Sequence, residues 1–240
     1  MQNESLNTRK NNIKKLISYF IIIVMVPLTI LFGAIFLQDK KYYFISLLVI
    51  IYAMISFFIF FEKSNHKSRE IVLIAVMATI GVVGRGAFFM LPQFKPVVAI
   101  VIITAVSLGA EAGFLTGALI GFVSNFFFGQ GPWTPWQMFC FGIVGFLAGI
   151  LFKKNILKRN KLTLCIFGGL ATLVVYGGII NFSSLLMMSS TINMESILAI
   201  YASGLPFDAV HAFSTIVFLF LISKPMLEKL DRVKSKYGIM

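Results

Sequence analysis

The chain is poor in charge. Of its 240 residues 12% are Asp, Glu, Lys or Arg, only nine of them acidic, while 58% are hydrophobic. Soluble domains hold about 25% charged residues, so a water-soluble globular fold is excluded. Cysteine and histidine are scarce as well, with two of each. Cys140 and Cys165 both fall inside apolar runs and no C-x-x-C occurs, which removes a disulfide framework or a redox pair. His66 and His211 are far apart and have no thiol beside them, so metal-ligand spacing is lacking and no metal or other cofactor is expected. No Gly-x-x-x-x-Gly-Lys-Ser/Thr is present. Gly81-Val-Val-Gly-Arg-Gly86 has the glycines of a phosphate loop, but it lacks the lysine and follows an apolar helix rather than a strand. The chain is not expected to bind ATP in the usual way. Clustered nucleophiles and paired acids, the marks of a membrane-embedded enzyme, are also missing.

Long apolar runs are abundant, and the mean hydropathy is +0.91. A helix needs roughly 20 apolar residues to cross the hydrocarbon. Such runs occupy about 16–37, 42–62, 70–92, 137–152, 162–183 and 207–223. The run 96–128 is too long for one span and is broken near Gly109-Ala-Glu-Ala-Gly113, which predicts two short spans joined by a tight turn. The expected fold class is an all-α membrane protein of about eight transmembrane helices.

A net charge of +12 suggests nucleic acid until its placement is considered. Lys and Arg number four in 1–15, three in 63–69, five in 153–161 and five in 224–236, all on one side of an eight-span topology. The other side has Lys40, Lys41, Arg85 and Lys95. This is a positive-inside pattern. It predicts two cytoplasmic termini and a lipid bilayer, not a nucleic acid, as the partner of the charge. The first run is longer than a secretory h-region and has no A-x-A-like exit before Gln38-Asp-Lys-Lys41, so it reads as a retained anchor.

Three segments are expected: a membrane pair of helices over 1–62, a charged cytoplasmic linker over 63–69, and a six-helix core over 70–240. The pair is almost devoid of polar groups and reads as lipid-facing. The core carries glycine at every fourth position, Gly109, Gly113, Gly117 and Gly121, and a second stripe at Gly142, Gly145 and Gly149. Small-residue stripes let helices approach closely in lipid. Tight packing is the expected use, and a sliding interface the sharper alternative.

The stretch Ser124-Asn-Phe-Phe-Phe-Gly-Gln-Gly-Pro-Trp-Thr-Pro-Trp-Gln137 holds both tryptophans. Asn125, Gln130, Thr134 and Gln137 set neutral hydrogen-bonding groups among the rings of Trp133 and Trp136, a mixture suited to an organic ligand. The competing reading is an aromatic belt at the membrane surface. Arg85, Phe88, Phe89, Phe94 and Lys95 form an external cluster in which the two cations attract an anionic ligand group or touch lipid phosphates. Glu111 reads as a solvated turn carboxylate or helix-start charge. Asp208 and His211, at i and i+3, share a helix face. They are either the start of the last helix with an inward imidazole, or a proton relay that makes the chain a proton-coupled secondary transporter of a small organic solute. Within 184–203, the stretch Met187-Met-Ser-Ser-Thr-Ile-Asn-Met194 reads as an external loop and a candidate lid.

The core from about 70 to 228 resembles the substrate-binding S components of energy-coupling factor (ECF) vitamin transporters. The likeness rests on the six-span plan, the paired second and third spans, the loop before the fourth, and the Gly204-Leu-Pro-Phe-Asp208 entry to the last. The run Phe126-Phe-Phe-Gly-Gln-Gly-Pro-Trp-Thr-Pro-Trp-Gln-Met138 is similar to a branch associated with cobalamin. This resemblance implies a multi-pass protein of a bacterial cell membrane that binds one vitamin, cobalamin or a related corrinoid, at its outer face. It implies a transport subunit rather than an enzyme, with an ECF transmembrane scaffold subunit and two ATPase subunits as partners. Arg85, Phe88, Phe89, Lys95, Asn125, Gln130, Trp133, Trp136, Gln137, Asp208 and His211 would meet the substrate. The family docks through an Ala-x-x-x-Ala pattern on the first core span; here Ala75, Ala78 and Thr79 stand nearest to it, with threonine in place of the second alanine.

Overall fold

The computed structural model describes residues 13–36, 42–61, 67–189 and 192–238. Lys40, Lys41, His66, the first twelve residues and most of the expected linker lie outside these. Eight continuous helices are present among the described residues, and no strand. They are α1 (Ile13–Phe36), α2 (Tyr42–Phe61), α3 (Lys67–Ala87), α4 (Val97–Leu108), α5 (Ala110–Phe128), α6 (Trp133–Lys153), α7 (Lys161–Met188) and α8 (Met194–Tyr237). The protein is an all-α membrane protein.

At the centre stands α4, whose twelve residues are all buried. It is apolar all round, as a helix enclosed by others must be, and packs in one cluster with Met77 and Ala78 of α3, Cys140 and Val144 of α6, and Leu219 of α8. At about 1.5 Å per residue it is too short to cross a 30 Å hydrocarbon layer. The chain reverses at Gly109, whose φ of 113° is closed to most side chains, and α5 follows at once. The break expected within 96–128 falls at this glycine.

The glycine stripes bring α5 and α6 together backbone to backbone. A Cβ added at Gly117 would lie 2.5 Å from the carbonyl carbon of Phe141 and 2.6 Å from the amide nitrogen of Gly142. One added at Gly145 would lie 2.7 Å from the Gly113 carbonyl oxygen. Such contact replaces side-chain interdigitation with dispersion between backbones, the force available to helices in lipid.

The N-terminal pair packs on this α5–α6 unit. Ile22, Val26 and Ile30 of α1 and Ile45 and Val49 of α2 join Phe114, Ala118, Trp136 and Phe146 in a second apolar cluster. The Tyr19 ring meets Phe146 edge-on, 5.0 Å between centroids. Leu16, Phe20 and Ile23 point outward, as lipid-facing residues do.

Three expectations are corrected. The last span is not confined to 207–223: α7 continues to Met188 and α8 already begins at Met194, the break between them falling within the loop expected over 187–194. Asn193 caps that start, its side chain accepting from the Ser196 amide at 2.8 Å while its own amide donates to Ser196 Oγ at 3.1 Å. Asp208 consequently lies well inside α8, not at its beginning. The Pro206 that suggested an entry is accommodated within the helix, as prolines are in membrane helices whose neighbours satisfy the freed groups. Glu111 lies in the first turn of α5 as expected, but it is 4% exposed rather than solvated, because the close α5–α6 approach folds it beneath the end of α6.

Candidate functional site

At one end of the helix bundle the last turns of α3 and α5 meet the first turn of α6. Arg85, in the last turn of α3, is buried. Its Nη1 donates to Asn125 Oδ1 at 2.7 Å and to Ser124 Oγ, both on α5. Asn125 passes the connection on, with Nδ2 donating to Thr134 Oγ1 at 3.1 Å and to Gln137 Oε1 at 2.9 Å. Thr134 Oγ1 also accepts the Gly131 amide at 3.2 Å, and Gln130 donates to the Phe122 carbonyl at 3.0 Å. A guanidinium, three side-chain amides and two hydroxyls thereby tie the 129–132 turn to α5 and, through Asn125, to α3. Buried polar groups need such partners, which is why these residues converge.

Aromatic rings flank the network. Arg85 Cζ lies 4.8 Å and Lys95 Nζ 5.5 Å from the centre of the Phe128 ring, so two cations meet the same ring. Phe89 stacks on Phe128 at 5.4 Å, and Phe88 meets Phe94 at 6.1 Å and Phe218 edge-on at 5.0 Å. The Lys95 carbonyl accepts from Ser214 Oγ at 3.0 Å, fixing the 88–96 loop to α8. Burial first, and repulsion from Arg85 second, hold the Lys95 ammonium below its ordinary pKa.

Asp208 and His211 are buried on the adjoining face of α8. Asp208 Oδ2 accepts from Asn181 Nδ2 at 2.7 Å. Gly177 and Gly204 make this contact possible, since side chains there would run into Asp208 and Asn181 respectively. His211 meets Tyr176 edge-on at 4.6 Å, and its Nδ1 has no hydrogen-bond partner among the described residues. Tyr176 ends the π-helical turn Ala171–Tyr176 of α7; such widened turns recur at functional sites.

The structure thus gathers Arg85, Phe88, Phe89, Lys95, Asn125, Gln130 and Gln137 at one end, with Asp208 and His211 beside them on α8. The tryptophans part company. Trp133 is 42% exposed on the turn side, whereas Trp136 is 5% exposed and faces Ile30, Gly33 and Ile45 of the N-terminal pair. Ala75 and Thr79 lie on the exposed face of α3, the Thr79 hydroxyl donating to the Ala75 carbonyl at 2.8 Å, while Ala78 turns into the core. Asn181 and Tyr176 were not singled out by the sequence. Nothing marks them there except the glycines facing Asp208 and Asn181 across α7 and α8.

The opposite end is the charged one. Arg69 donates to the Tyr237 carbonyl at 2.9 Å, Lys234 to the Ser107 carbonyl at 2.7 Å, and Arg159 pairs with Asp231 at 2.9 Å.

A family model described as ECF-type riboflavin transporter, S component, matches residues 65–228, well over half of the chain. The chain belongs to that family. This S component is similar to a UPF0397 protein of Vibrio atlanticus, 26% identical over 172 residues that make up 69% of this chain and 94% of the relative. It is 25% identical to a UPF0397 protein of Aliivibrio salmonicida over 148 residues, 58% of this chain and 79% of that one. With a UPF0397 protein of Aliivibrio fischeri it shares 30% over 103 residues, 41% of this chain and 54% of that one. No solved structure matches. Membership makes the protein a transport subunit of a membrane transporter, and α1 and α2 fall outside the matched residues.

Proposed function

We propose that this S component captures an organic micronutrient at the Arg85–Lys95 end and passes it inward with a scaffold subunit and two ATPases. The observation that carries the reading is the junction of α3, α5 and α6. Cations, amides and aromatic faces converge there, and close by on α8 His211 Nδ1 has no hydrogen-bond partner among the described residues. Those are the groups that hold a flat, amide-bearing ring system: aromatic faces for its plane, neutral donors and acceptors for its rim. A flavin, the substrate in the family's name, is therefore the first ligand to test, and the corrinoid suggested by the Phe126–Met138 run is the second.

The positive-inside pattern orients the Arg85 end outward, with both termini in the cytoplasm. On this reading residues 70–240 form the capturing core and the first two helices are accessory. Ala75 and Thr79 offer small surface to the scaffold on the outward stripe that also holds Val72, Val76 and Val83. A proton-coupled carrier needs a chain of titratable groups. Asp208 is instead held by an amide, and His211 is flanked by the rings of Tyr176 and Phe141.

Fluorescence titration of the purified protein with riboflavin and with cobalamin, corrected for ligand absorption, tests the capture site. Saturable quenching should disappear in Trp133→Phe and persist in Trp136→Phe, since only Trp133 is on the turn side. Quenching that follows Trp136 instead would move the site away from Arg85. Uptake by cells lacking the ATPases, abolished by a protonophore, would establish the secondary carrier in its place.

A further inference from the structure

The charged end holds a cavity of about 220 Å³ that substrate capture leaves unused, bounded by Lys15 and Tyr19 of α1, Glu111 of α5, and Gly149, Lys153 and Lys154 at the end of α6. Its wall is closed where Gly149 lies directly against the backbone of Ala110. Glu111 lines the cavity and is 4% exposed, with an Oε1 that has no hydrogen-bond partner among the described residues. Seen from Gly109, a Cβ would meet Lys153 Nζ at 3.1 Å and Glu111 Oε2 at 3.9 Å, so an ammonium and a carboxylate face the same small space. Lys153 and Lys154 against Glu111 leave this lining cationic even before Lys15 is counted.

We propose that this cavity is a headgroup site for an anionic glycerophospholipid whose headgroup also carries hydroxyls, phosphatidylglycerol being the type. The phosphate would meet the lysines in charge-assisted contacts, as basic pockets between membrane helices do. Glu111 Oε1 demands a donor, because a buried acceptor left unmade costs its full desolvation, and a glycerol hydroxyl supplies one. A bare phosphate monoester, with about −1.5 to −2 charges at neutral pH, keeps only a partly populated P–OH donor and would be repelled more strongly by the same carboxylate. Position agrees with chemistry. The apolar spans of α1 and α6 end at this level, where headgroups lie, and Leu16, Phe20 and Ile23 give acyl chains an outward apolar flank on α1.

Native mass spectrometry of the full chain, with equal amounts of phosphatidylglycerol, phosphatidylcholine and phosphatidic acid in detergent, tests the site. Phosphatidylglycerol adducts should exceed the other two. In Lys153→Ala/Lys154→Ala they should fall by about fivefold for each lysine, the factor matching a basic group near an anionic surface. Glu111→Gln, which keeps the side-chain volume, should raise phosphatidic acid relative to phosphatidylglycerol. The wild-type preference is read without any variant, so a misfolded double variant leaves the test decisive. Equal phosphatidylglycerol and phosphatidylcholine adducts would overturn the proposal, as would adducts unchanged in a folded double-lysine variant. Displacement of the lipid by millimolar inorganic phosphate would assign the cavity to a free phosphate compound instead.

Discussion

Arg85 couples α3 to α5 through one nitrogen, Asn125 carries the link on to α6, and removal of the guanidinium strands acceptors that it now satisfies. Arg85→Ala leaves Ser124 Oγ and Asn125 Oδ1 without their cation, and an unmade buried hydrogen bond costs roughly 1–3 kcal/mol per group. The variant should melt below wild type in detergent by an amount of that order. Arg85→Lys should recover part of the loss, since an ammonium reaches one acceptor well but lacks the planar fork. A second consequence concerns Lys95, whose pKa burial and Arg85 together depress. Its depressed folded-state value means the unfolded chain binds more protons just below the ordinary lysine pKa, so stability attributable to Lys95 rises with pH through that window. Without Arg85 one of the two causes is gone. The Lys95 pKa should therefore move upward, a shift measurable by NMR of reductively methylated lysine. An unmoved or lower value would place the two cations out of electrostatic reach of each other.

Among the elements, the glycines separate by what faces them. Gly117 sits where a methyl group would press into the Phe141–Gly142 backbone, whereas Gly178 of α7 has nothing within 4 Å of an added Cβ. Gly117→Ala should force α5 and α6 apart and destabilise by about 1–3 kcal/mol, the usual cost of overpacking. Gly178→Ala should be neutral or stabilise by roughly 0.5–1 kcal/mol through helix propensity. Thermal unfolding of the pair in one detergent reads the difference, and equal effects would mean that the stripe is mere helix composition. The stripe was legible in sequence because a four-residue period is local. The start of α8 was not. Pro206 and Asp208 resemble a helix entry, and only the Asn193–Ser196 cap and the packing of Asn181 against Gly204 show that the helix has already begun. The burial of Glu111 was hidden for a similar reason: it depends on α6 lying close enough to cover it, a contact between residues distant in sequence.

At the scale of the whole molecule the two ends differ in kind. One gathers Arg69, Lys153, Arg159 and Lys234, and the other gathers aromatic rings around Arg85 and Lys95. Composition made the class and the number of helices readable, since apolar runs need no partner to declare themselves. Which residues meet at the candidate site was readable only in part: Arg85 and Asn125 are forty positions apart in sequence, and a guanidinium does not announce its acceptors. The sidedness of charge also carries a prediction about orientation. Cys140 and Cys165 are both buried, so a cysteine introduced on the surface reports with little background from them. Met90, in the loop after α3, is 84% exposed, and Lys158 lies exposed between α6 and α7. With 17 of the 21 basic residues on the Lys158 side of the topology, Met90→Cys should react with a membrane-impermeant maleimide in intact cells and Lys158→Cys only after the cells are opened. The opposite pattern would invert the molecule. It would turn the Arg85 network toward the cytoplasm, where it cannot collect a solute from outside, and the capture reading would fall with it.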